Sequence, residues 1–247
     1  MDLVINMKII IADAKTLKVN DYPIKGQLPL FEKKAMYLRK QLQQLEPREI
    51  HDFMNISFKQ SHLIYDYLHN DEKYPALCLF DGVVFKELHL NDYKQEDFHY
   101  LEKHLLINSP LYGLCRYNDL IQFHRLEMKH KLNNISLYDY WKNEIDNYLK
   151  DEDFIISLST KEYEKMIHHP NMILVDFIEI AGGKIKRTAV YLKKARGKML
   201  DYMIKNKIES IDDIKKIVVD DYHYHEEYST KKKLVFVRNE KIKYTHL

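Results

Sequence analysis

Short apolar runs rich in β-branched side chains constrain the fold of this chain more than any other feature. Residues 8–12 and 154–158 are mostly apolar and are followed by polar residues, a pattern that predicts strands buried in a sheet. Residues 172–180 and 184–191 flank Ala181-Gly182-Gly183, which predicts a β-hairpin whose turn uses the positive φ angles open to glycine. Two more strands are predicted at residues 222–225 and 234–238.

Segments with apolar residues every three or four positions separate these strands and indicate amphipathic helices. Pro47 fits the first turn of one helix and Ser57 fits the N-cap of the next. Helices are predicted at residues 28–45, 95–106, 137–149, 192–206 and 211–217, whereas residues 76–90 fit either a helix or a strand. This mixture predicts a mixed α/β (α+β) fold in which a mixed β-sheet is packed with helices.

Composition and length favour an ordered protein with one domain. No repeat or linker divides the 247 residues, so a single compact domain over residues 1–247 is expected. Hydrophobic residues make up 45% of the chain and charged residues 31%, which is typical of a globular protein. No apolar run could span a bilayer and no basic signal-peptide region begins the chain, so we expect a cytoplasmic protein without a membrane partner. Cys78 and Cys115 form no CxxC motif, as fits a reducing compartment.

The charge is unevenly distributed, although the net charge is only +2. Residues 181–207 contain nine basic residues and one acidic residue, whereas residues 209–227 contain seven acidic residues and two lysines. Such asymmetry is typical of a basic face that meets a polyanion, and it also occurs on ordinary solvated helices.

The run Lys193-Lys194-Ala195-Arg196-Gly197 is the first candidate for an anion-binding site. On a helical wheel Arg196 falls inside the apolar stripe and Lys193 near its border, so both are expected to face inward, while Lys194 points toward solvent. The cations lie in the predicted first turn, where the helix dipole favours anions, so we expect phosphate to bind there. Gly197 would let an anion or a neighbouring backbone approach closely. In the alternative interpretation, Arg196 pairs with a buried carboxylate of another element and the lysines are solvated.

A second polar cluster contains Arg116, Asp119, His124, Arg125 and Glu127. Arg125 and Glu127 alternate along the chain, so they share one face of an extended segment. They can form either a buried ion pair or a catalytic pair.

The candidate site residues fall into two groups. Those that could act as acids, bases or orienting groups are Asp119, Glu127 and Ser159, which opens a predicted capping box after residues 154–158. Those that could bind an anion or DNA are Lys15, which follows the first predicted strand, Arg116, Arg125, Lys193, Lys194 and Arg196.

A weaker candidate for a metal site lies near the end of the chain. His223, His225 and Glu227 occupy one face if residues 222–227 form a strand, a spacing that metal ligands can use. A histidine-rich edge strand explains the pattern equally well, so we expect no metal and no cofactor. The sequence also contains no P-loop, GxGxxG fingerprint or recognisable Ser-His-Asp pattern.

Seven segments in order along the chain resemble the peroxide stress protein YaaA family, from residue 7 to about residue 238. They are Ala14-Lys15-Thr16-Leu17, Met54-Asn55-Ile56-Ser57, Leu111-Tyr112-Gly113-Leu114 with Arg116 and Asp119, Arg125-Leu126-Glu127-Met128, Leu137-Tyr138 with Trp141, Glu162-Tyr163 and Lys193-Lys194-Ala195-Arg196-Gly197. Because the family pattern begins near Met7, residues 1–6 are a possible N-terminal extension.

The resemblance implies a bacterial cytoplasmic protein that helps cells survive hydrogen peroxide by limiting damage linked to free intracellular iron. It also implies a compact α/β fold with a positively charged cleft, a helix-hairpin-helix element and binding to double-stranded DNA. The expected partner is the phosphate backbone of the duplex, and a monomer is expected. Asp13, Asp81 and Tyr117 depart from the family pattern, and the two aspartates predict a less basic cleft than in typical members.

The alternative function is an enzyme that acts on a nucleotide or another phosphorylated small molecule in the same cationic pocket. An enzyme would gather four cations in one deep site, whereas a DNA-binding protein would spread them along an open groove. These four are Lys15, Arg116, Arg125 and Arg196.

Overall fold

The computed structural model describes residues 6–239 of the chain. Its core is one mixed sheet of eight strands packed with helices in a single compact domain, which confirms the predicted mixed α/β fold. The possible N-terminal extension, residues 1–6, lies outside the described residues except for Asn6. None of the helices described is long and apolar enough to cross a membrane.

The described residues form twelve strands and ten α-helices. The strands are β1 (Met7–Ala12), β2 (Lys73–Pro75), β3 (Leu105–Ser109), β4 (Gly113–Cys115), β5 (Leu120–Gln122), β6 (Lys131–Leu132), β7 (Ile135–Ser136), β8 (Phe154–Ser157), β9 (Met172–Ala181), β10 (Lys184–Lys186), β11 (His223–Tyr224) and β12 (Lys233–Asn239). The helices are α1 (Glu32–Leu42), α2 (Pro47–Met54), α3 (Phe58–His69), α4 (Ala76–Leu79), α5 (Val83–Lys86), α6 (Gln95–His104), α7 (Leu137–Leu149), α8 (Lys161–Glu164), α9 (Ala189–Asn206) and α10 (Ile211–Lys216).

The central sheet has the strand order β11-β12-β9-β8-β1-β3-β4, and β10 also pairs with β9. The five inner strands run parallel, whereas β4, β10 and β11 run antiparallel to their neighbours. Ile9, Ile10 and Ile11 of β1 are all buried, because both faces of the sheet are covered. The first apolar run therefore shows no alternation of apolar and polar residues, although it forms a strand.

Several predicted elements differ from the observed ones. Strands β2 to β7 were not predicted, and Leu105 and Leu106 of β3 fall in the helix predicted over residues 95–106. Residues 76–90 contain two short helices, α4 and α5, rather than one element. The predicted strand over residues 184–191 stops at Lys186, because β10 pairs only with the last three residues of β9, and α9 then begins at Ala189. The predicted capping box at Ser159 is also wrong, since Thr160 is the N-cap of α8 and its side chain makes no capping hydrogen bond.

Candidate functional site

The carboxyl ends of β1 and β8 lie side by side in the sheet. The chain leaves β1 toward β3 on one side and leaves β8 toward β9 on the other. A crevice forms at such a reversal of strand order, and ligands of open α/β sheets bind there. Asp13 and Lys15 follow β1 directly, and Ser159 and Tyr163 follow β8. The prediction that Lys15 lies at the carboxyl end of a strand is confirmed.

Asp13 joins the segments that meet at this edge. The Tyr163 hydroxyl donates a hydrogen bond to Asp13 Oδ1 over 2.7 Å, and the backbone N–H of Asp13 donates to the carbonyl of Asn108 over 2.9 Å. Burial, together with the charge of Asp13, raises the pKa of the Tyr163 hydroxyl, so this group remains a hydrogen-bond donor at neutral pH. Asp13 therefore holds α8 against the ends of β1 and β3.

Ser109, His124 and Asp13 are the residue types of a hydrolase triad, but their geometry is different. His124 Nδ1 lies 2.8 Å from the carbonyl of Gln122 and so donates to it, which leaves Nε2 as an acceptor 3.5 Å from Ser109 Oγ. Asp13 Oδ2 is 3.9 Å from that same Nε2, whereas the carboxylate of a triad accepts from the opposite nitrogen. Because Ser109 and His124 are also buried, they form a hydrogen-bonded core network rather than a nucleophile and its base.

Glu127 is surrounded by three cations. Its Oε1 lies 2.9 Å from Lys15 Nζ and 3.5 Å from an Arg125 guanidinium nitrogen, and its Oε2 lies 3.2 Å from Lys129 Nζ. Lys15, Arg125 and Glu127 were each predicted as site residues, and the structure brings these three together. Lys129 and the adjacent His130 were missed; their only signal in the sequence is a basic pair that follows the Arg125-Leu126-Glu127-Met128 motif.

These cations determine the ionisation of Glu127. Burial alone raises the pKa of its carboxyl, but the hydrogen bonds and charges of Lys15 and Lys129 outweigh burial and lower the pKa to about 2 from an ordinary 4.5. A carboxyl whose pKa falls on folding stabilises the folded state above its unfolded pKa, and this stabilisation disappears as the pH falls toward the folded pKa.

Glu127→Gln is therefore expected to lower the free energy of unfolding by about 2 kcal/mol at pH 7, because the uncharged amide no longer balances the cations. The deficit relative to the unmutated chain should shrink below pH 4.5 and vanish near pH 2. Urea unfolding of both proteins across this range measures the difference. A deficit that stays constant down to pH 2 would show that the carboxylate charge is not the cause.

Arg116 and Asp119 form a separate ion pair. Arg116 Nε donates to Asp119 Oδ1 over 2.8 Å, and the backbone N–H of Arg116 donates to Oδ2 over 3.0 Å. The Asp119 side chain is 0% exposed. Arg116 also donates to the carbonyl of Leu28 over 2.6 Å. Both residues are thus committed to joining two loops, and this arrangement leaves Asp119 no exposed oxygen for an acid or base role.

The surroundings of Arg196 favour the alternative interpretation of the first basic run. Its half-buried guanidinium faces two carboxylates, Asp176 of β9 and Glu164 of α8. Burial lowers the pKa of Arg196, and these two negative charges oppose that shift. The helix begins at Ala189, so Arg196 and the preceding lysines lie beyond the first turn. The argument from the helix dipole therefore does not apply to them.

Lys193 and Lys194 are both exposed. The predicted inward orientation of Lys193 is wrong, because α9 turns its border position toward solvent. The four cations expected to form one deep pocket are instead divided among three sets of carboxylates. Lys15 and Arg125 share Glu127, Arg116 binds Asp119, and Arg196 faces Asp176 and Glu164.

The positions of the remaining candidate residues, Ser159 and the three candidate metal ligands, do not support a catalytic or metal site. Ser159 is buried, and its Oγ has no hydrogen-bond partner among residues 6–239. β11 ends at Tyr224 and Glu227 lies in the following 3-10 turn, so His223, His225 and Glu227 do not line one strand face. No group of three His, Cys, Asp or Glu side chains in the described part of the chain could hold a metal ion.

The chain is similar to known proteins over most of its length. The family model for peroxide stress protein YaaA matches residues 7–228. UPF0246 proteins of Fusobacterium nucleatum and Finegoldia magna are 32% and 35% identical, over 94% of this chain and 99% and 98% of their own lengths. A UPF0246 protein of Crocosphaera subtropica is 30% identical over 94% of this chain and its own entire length. The chain therefore belongs to the peroxide stress protein YaaA family.

Proposed function

We propose that this protein acts in the cytoplasm, as a monomer, to protect bacterial cells from peroxide by binding double-stranded DNA and limiting damage linked to intracellular iron. Membership of the peroxide stress protein YaaA family supports the stress role. The DNA-binding part of the proposal depends on one observation, a continuous exposed basic surface on the β9–β10 hairpin and the start of α9.

This surface consists of exposed residues. Every residue from 182 to 191 is exposed, and Lys193 and Lys194 follow on the solvent side of α9. Within residues 6–239, Lys184, Lys193 and Lys194 have no carboxylate partner, and Tyr191 adds an exposed ring. Cations that are not already neutralised can release counterions when they contact phosphate, which is the main source of affinity for duplex DNA.

Other cations of the same basic stretch are held by the protein's own carboxylates. Arg187 lies 3.0 Å from Asp176, Lys205 lies 3.2 Å from Asp201, and Lys198 and Lys207 pair with Asp220 and Asp97. We therefore assign the phosphate contacts to Lys184, Lys193 and Lys194 rather than to Arg116, Arg125 or Arg196.

The turn between α2 and α3 supports a second DNA contact. Asn55 adopts a left-handed conformation with φ 52°, and Ser57 caps α3 by accepting a hydrogen bond from the backbone N–H of Gln60. Two helices joined by so short a turn support the proposal that this segment is the helix-hairpin-helix element implied by the family. The cap takes the N–H of Gln60, so a phosphate at the start of α3 would accept from the N–H groups of Phe58 and Lys59.

The cysteines give no support to direct thiol chemistry with peroxide. Cys78 and Cys115 are both buried and unpaired. Burial raises the pKa of each thiol, most strongly for Cys115. Because the thiolate is the nucleophile that attacks peroxide, these residues are poor candidates for a peroxidase function.

Lys193→Ala combined with Lys194→Ala is expected to weaken binding to a duplex oligonucleotide about tenfold or more at 0.1 M salt and to reduce the salt slope by about 2, one per phosphate contact. Fluorescence anisotropy over a series of salt concentrations measures both quantities. The matched control is Lys215→Ala with Lys216→Ala, which removes the same charge from lysines that pair with Asp212 and Asp213.

Equal losses in the two double variants would mean that net charge, and not this surface, governs binding, and the assignment would fail. The same proteins test the stress role in a strain that lacks the gene. The Lys215/Lys216 variant should restore survival in hydrogen peroxide and the Lys193/Lys194 variant should not. Full restoration by a protein that no longer binds DNA would separate the stress role from DNA binding.

A further inference from the structure

Two buried N–H groups beside Glu127 have no hydrogen-bond partner among the described residues. They are Arg125 Nε and His130 Nε2. The backbone N–H of Glu127 donates to His130 Nδ1 over 3.1 Å, so Nδ1 carries no proton and the neutral ring carries its proton on Nε2. His130 is only 6% exposed, and burial lowers its pKa, which agrees with a neutral ring. Both unpartnered atoms are therefore donors that require an acceptor.

The charge around these donors is also unbalanced. Lys15, Arg125 and Lys129 supply three positive charges and Glu127 one negative charge, which leaves an excess of two. Asp13, at the end of β1, keeps its negative charge when it accepts from the Tyr163 hydroxyl, but its carboxylate lies beside His124 and forms no ion pair with Lys15, Arg125 or Lys129. Together with the Glu127 carboxylate, a doubly charged anion would balance the three cations.

The position of the cluster suits a ligand site. Lys15 follows β1 at the crevice between the ends of β1 and β8. The side chains of Lys15 and Lys129 are 56% and 61% exposed, so the cluster opens to solvent between them. His130 lies deeper and packs against the Phe53 ring at 4.9 Å. A small anion can approach the buried donors past the two exposed lysines.

We propose that Arg125, His130, Lys15 and Lys129 bind a phosphate group, either free or carried by a small molecule, at a site distinct from the DNA-binding surface. Phosphate offers several oxygens in different directions, which suits donors that approach from different residues, and its double charge matches the excess. Glu127 holds Lys15 and Lys129 in place without the ligand and competes with it for them.

Isothermal titration with inorganic phosphate, at ionic strength held constant with chloride, tests this site. We expect saturable binding of one phosphate per chain. Arg125→Gln and His130→Phe should each weaken it about tenfold or more, since each removes a hydrogen bond to a charged ligand. Glu127→Gln should tighten it, because the competing carboxylate charge is gone. Tightening cannot result from a damaged fold, so this variant keeps the test decisive if another variant unfolds.

The matched control is the Lys193→Ala, Lys194→Ala protein, which should bind phosphate as tightly as the unmutated chain. Adenosine monophosphate in place of phosphate separates the two sources, because tighter binding identifies a phosphorylated small molecule and equal binding identifies the free ion.

The proposal is overturned if no saturable binding occurs, or if Arg125→Gln and His130→Phe leave it unchanged, since water would then satisfy the donors. A loss confined to the Lys193/Lys194 protein would also overturn it. DNA binding that fails while phosphate binding persists leaves this site intact.

Discussion

Arg39→Met is expected to lower the free energy of unfolding by about 3–5 kcal/mol. One terminal nitrogen of the buried Arg39 guanidinium, on α1, lies 2.7–2.9 Å from the carbonyls of Tyr67, Leu68 and Asn70 at the end of α3 and shares its two hydrogens among them. The guanidinium also donates to the carbonyl of Phe123 over 2.9 Å. The last carbonyls of a helix have no partner within the helix, so the arginine satisfies them. Methionine fills similar space but donates no hydrogen bond.

Urea unfolding and thermal melting measure this effect, and a melting temperature lower by about 10 °C is expected for a chain of this length. Arg48→Met is the control, because Arg48 is exposed on α2 and loses the same charge. If the two variants agree within about 0.5 kcal/mol, the buried hydrogen bonds contribute nothing to stability. Arg39 also matters to the candidate site, since Phe123 precedes the segment that carries Arg125 and Glu127.

Gly197→Ala is expected to destabilise the fold by about 3 kcal/mol. A Cβ atom at Gly197 would lie 2.4 Å from the carbonyl oxygen of Val84 and 2.8 Å from Glu87 Cβ. The oxygen belongs to the backbone of α5, so relief requires that α5 shift away from α9. Of the two roles predicted for Gly197, the approach of a neighbouring backbone is the one that the structure contains.

For a glycine on an open helix face, substitution by alanine is instead expected to stabilise the fold by about 1 kcal/mol. Lys194→Ala provides the control, because it places alanine on the exposed face of the same helix and should change stability by less than about 0.5 kcal/mol. A stabilised Gly197→Ala protein would refute the close contact between α5 and α9. Differential scanning calorimetry of the three proteins distinguishes these outcomes.

The amino-acid sequence predicted the longer helices and six of the twelve described strands, but it missed β3, whose first two residues it assigned to the helix over residues 95–106. The apolar runs at residues 8–12 and 154–158 are β1 and β8, and the glycine turn after residue 180 joins β9 and β10. The helix over residues 137–149 has the predicted bounds. These predictions succeeded because the spacing of apolar residues reflects the local backbone conformation, and turn or cap residues mark the ends of the helices and strands. Boundaries failed where pairing between strands set the length, as in β10, which pairs only with the last three residues of β9.

The sequence also identified the family through ordered motifs, and it placed Lys15 at the end of a strand. It suggested a partner for only one of the candidate cations, Arg125, whose alternation with Glu127 allowed the ion pair that the structure contains. A helical wheel placed Arg196 on the buried side of α9, but only the packing of β9 and α8 against that side put Asp176 and Glu164 opposite it. The phosphate contacts predicted for Arg196 are therefore proposed for the exposed lysines of the same helix instead.

Tertiary structure alone decided where the unbalanced charge and the unpartnered donors lie. Lys15 and Glu127 are far apart in the chain and meet because β1 and the segment after β5 converge at one edge of the sheet. The unpartnered state of His130 Nε2 follows from how its ring is held by the Glu127 backbone and Phe53. The local sequence determines the backbone conformation of a segment and which of its faces is apolar. Ion pairs and long-range hydrogen bonds depend instead on distances between segments that only the folded chain brings together.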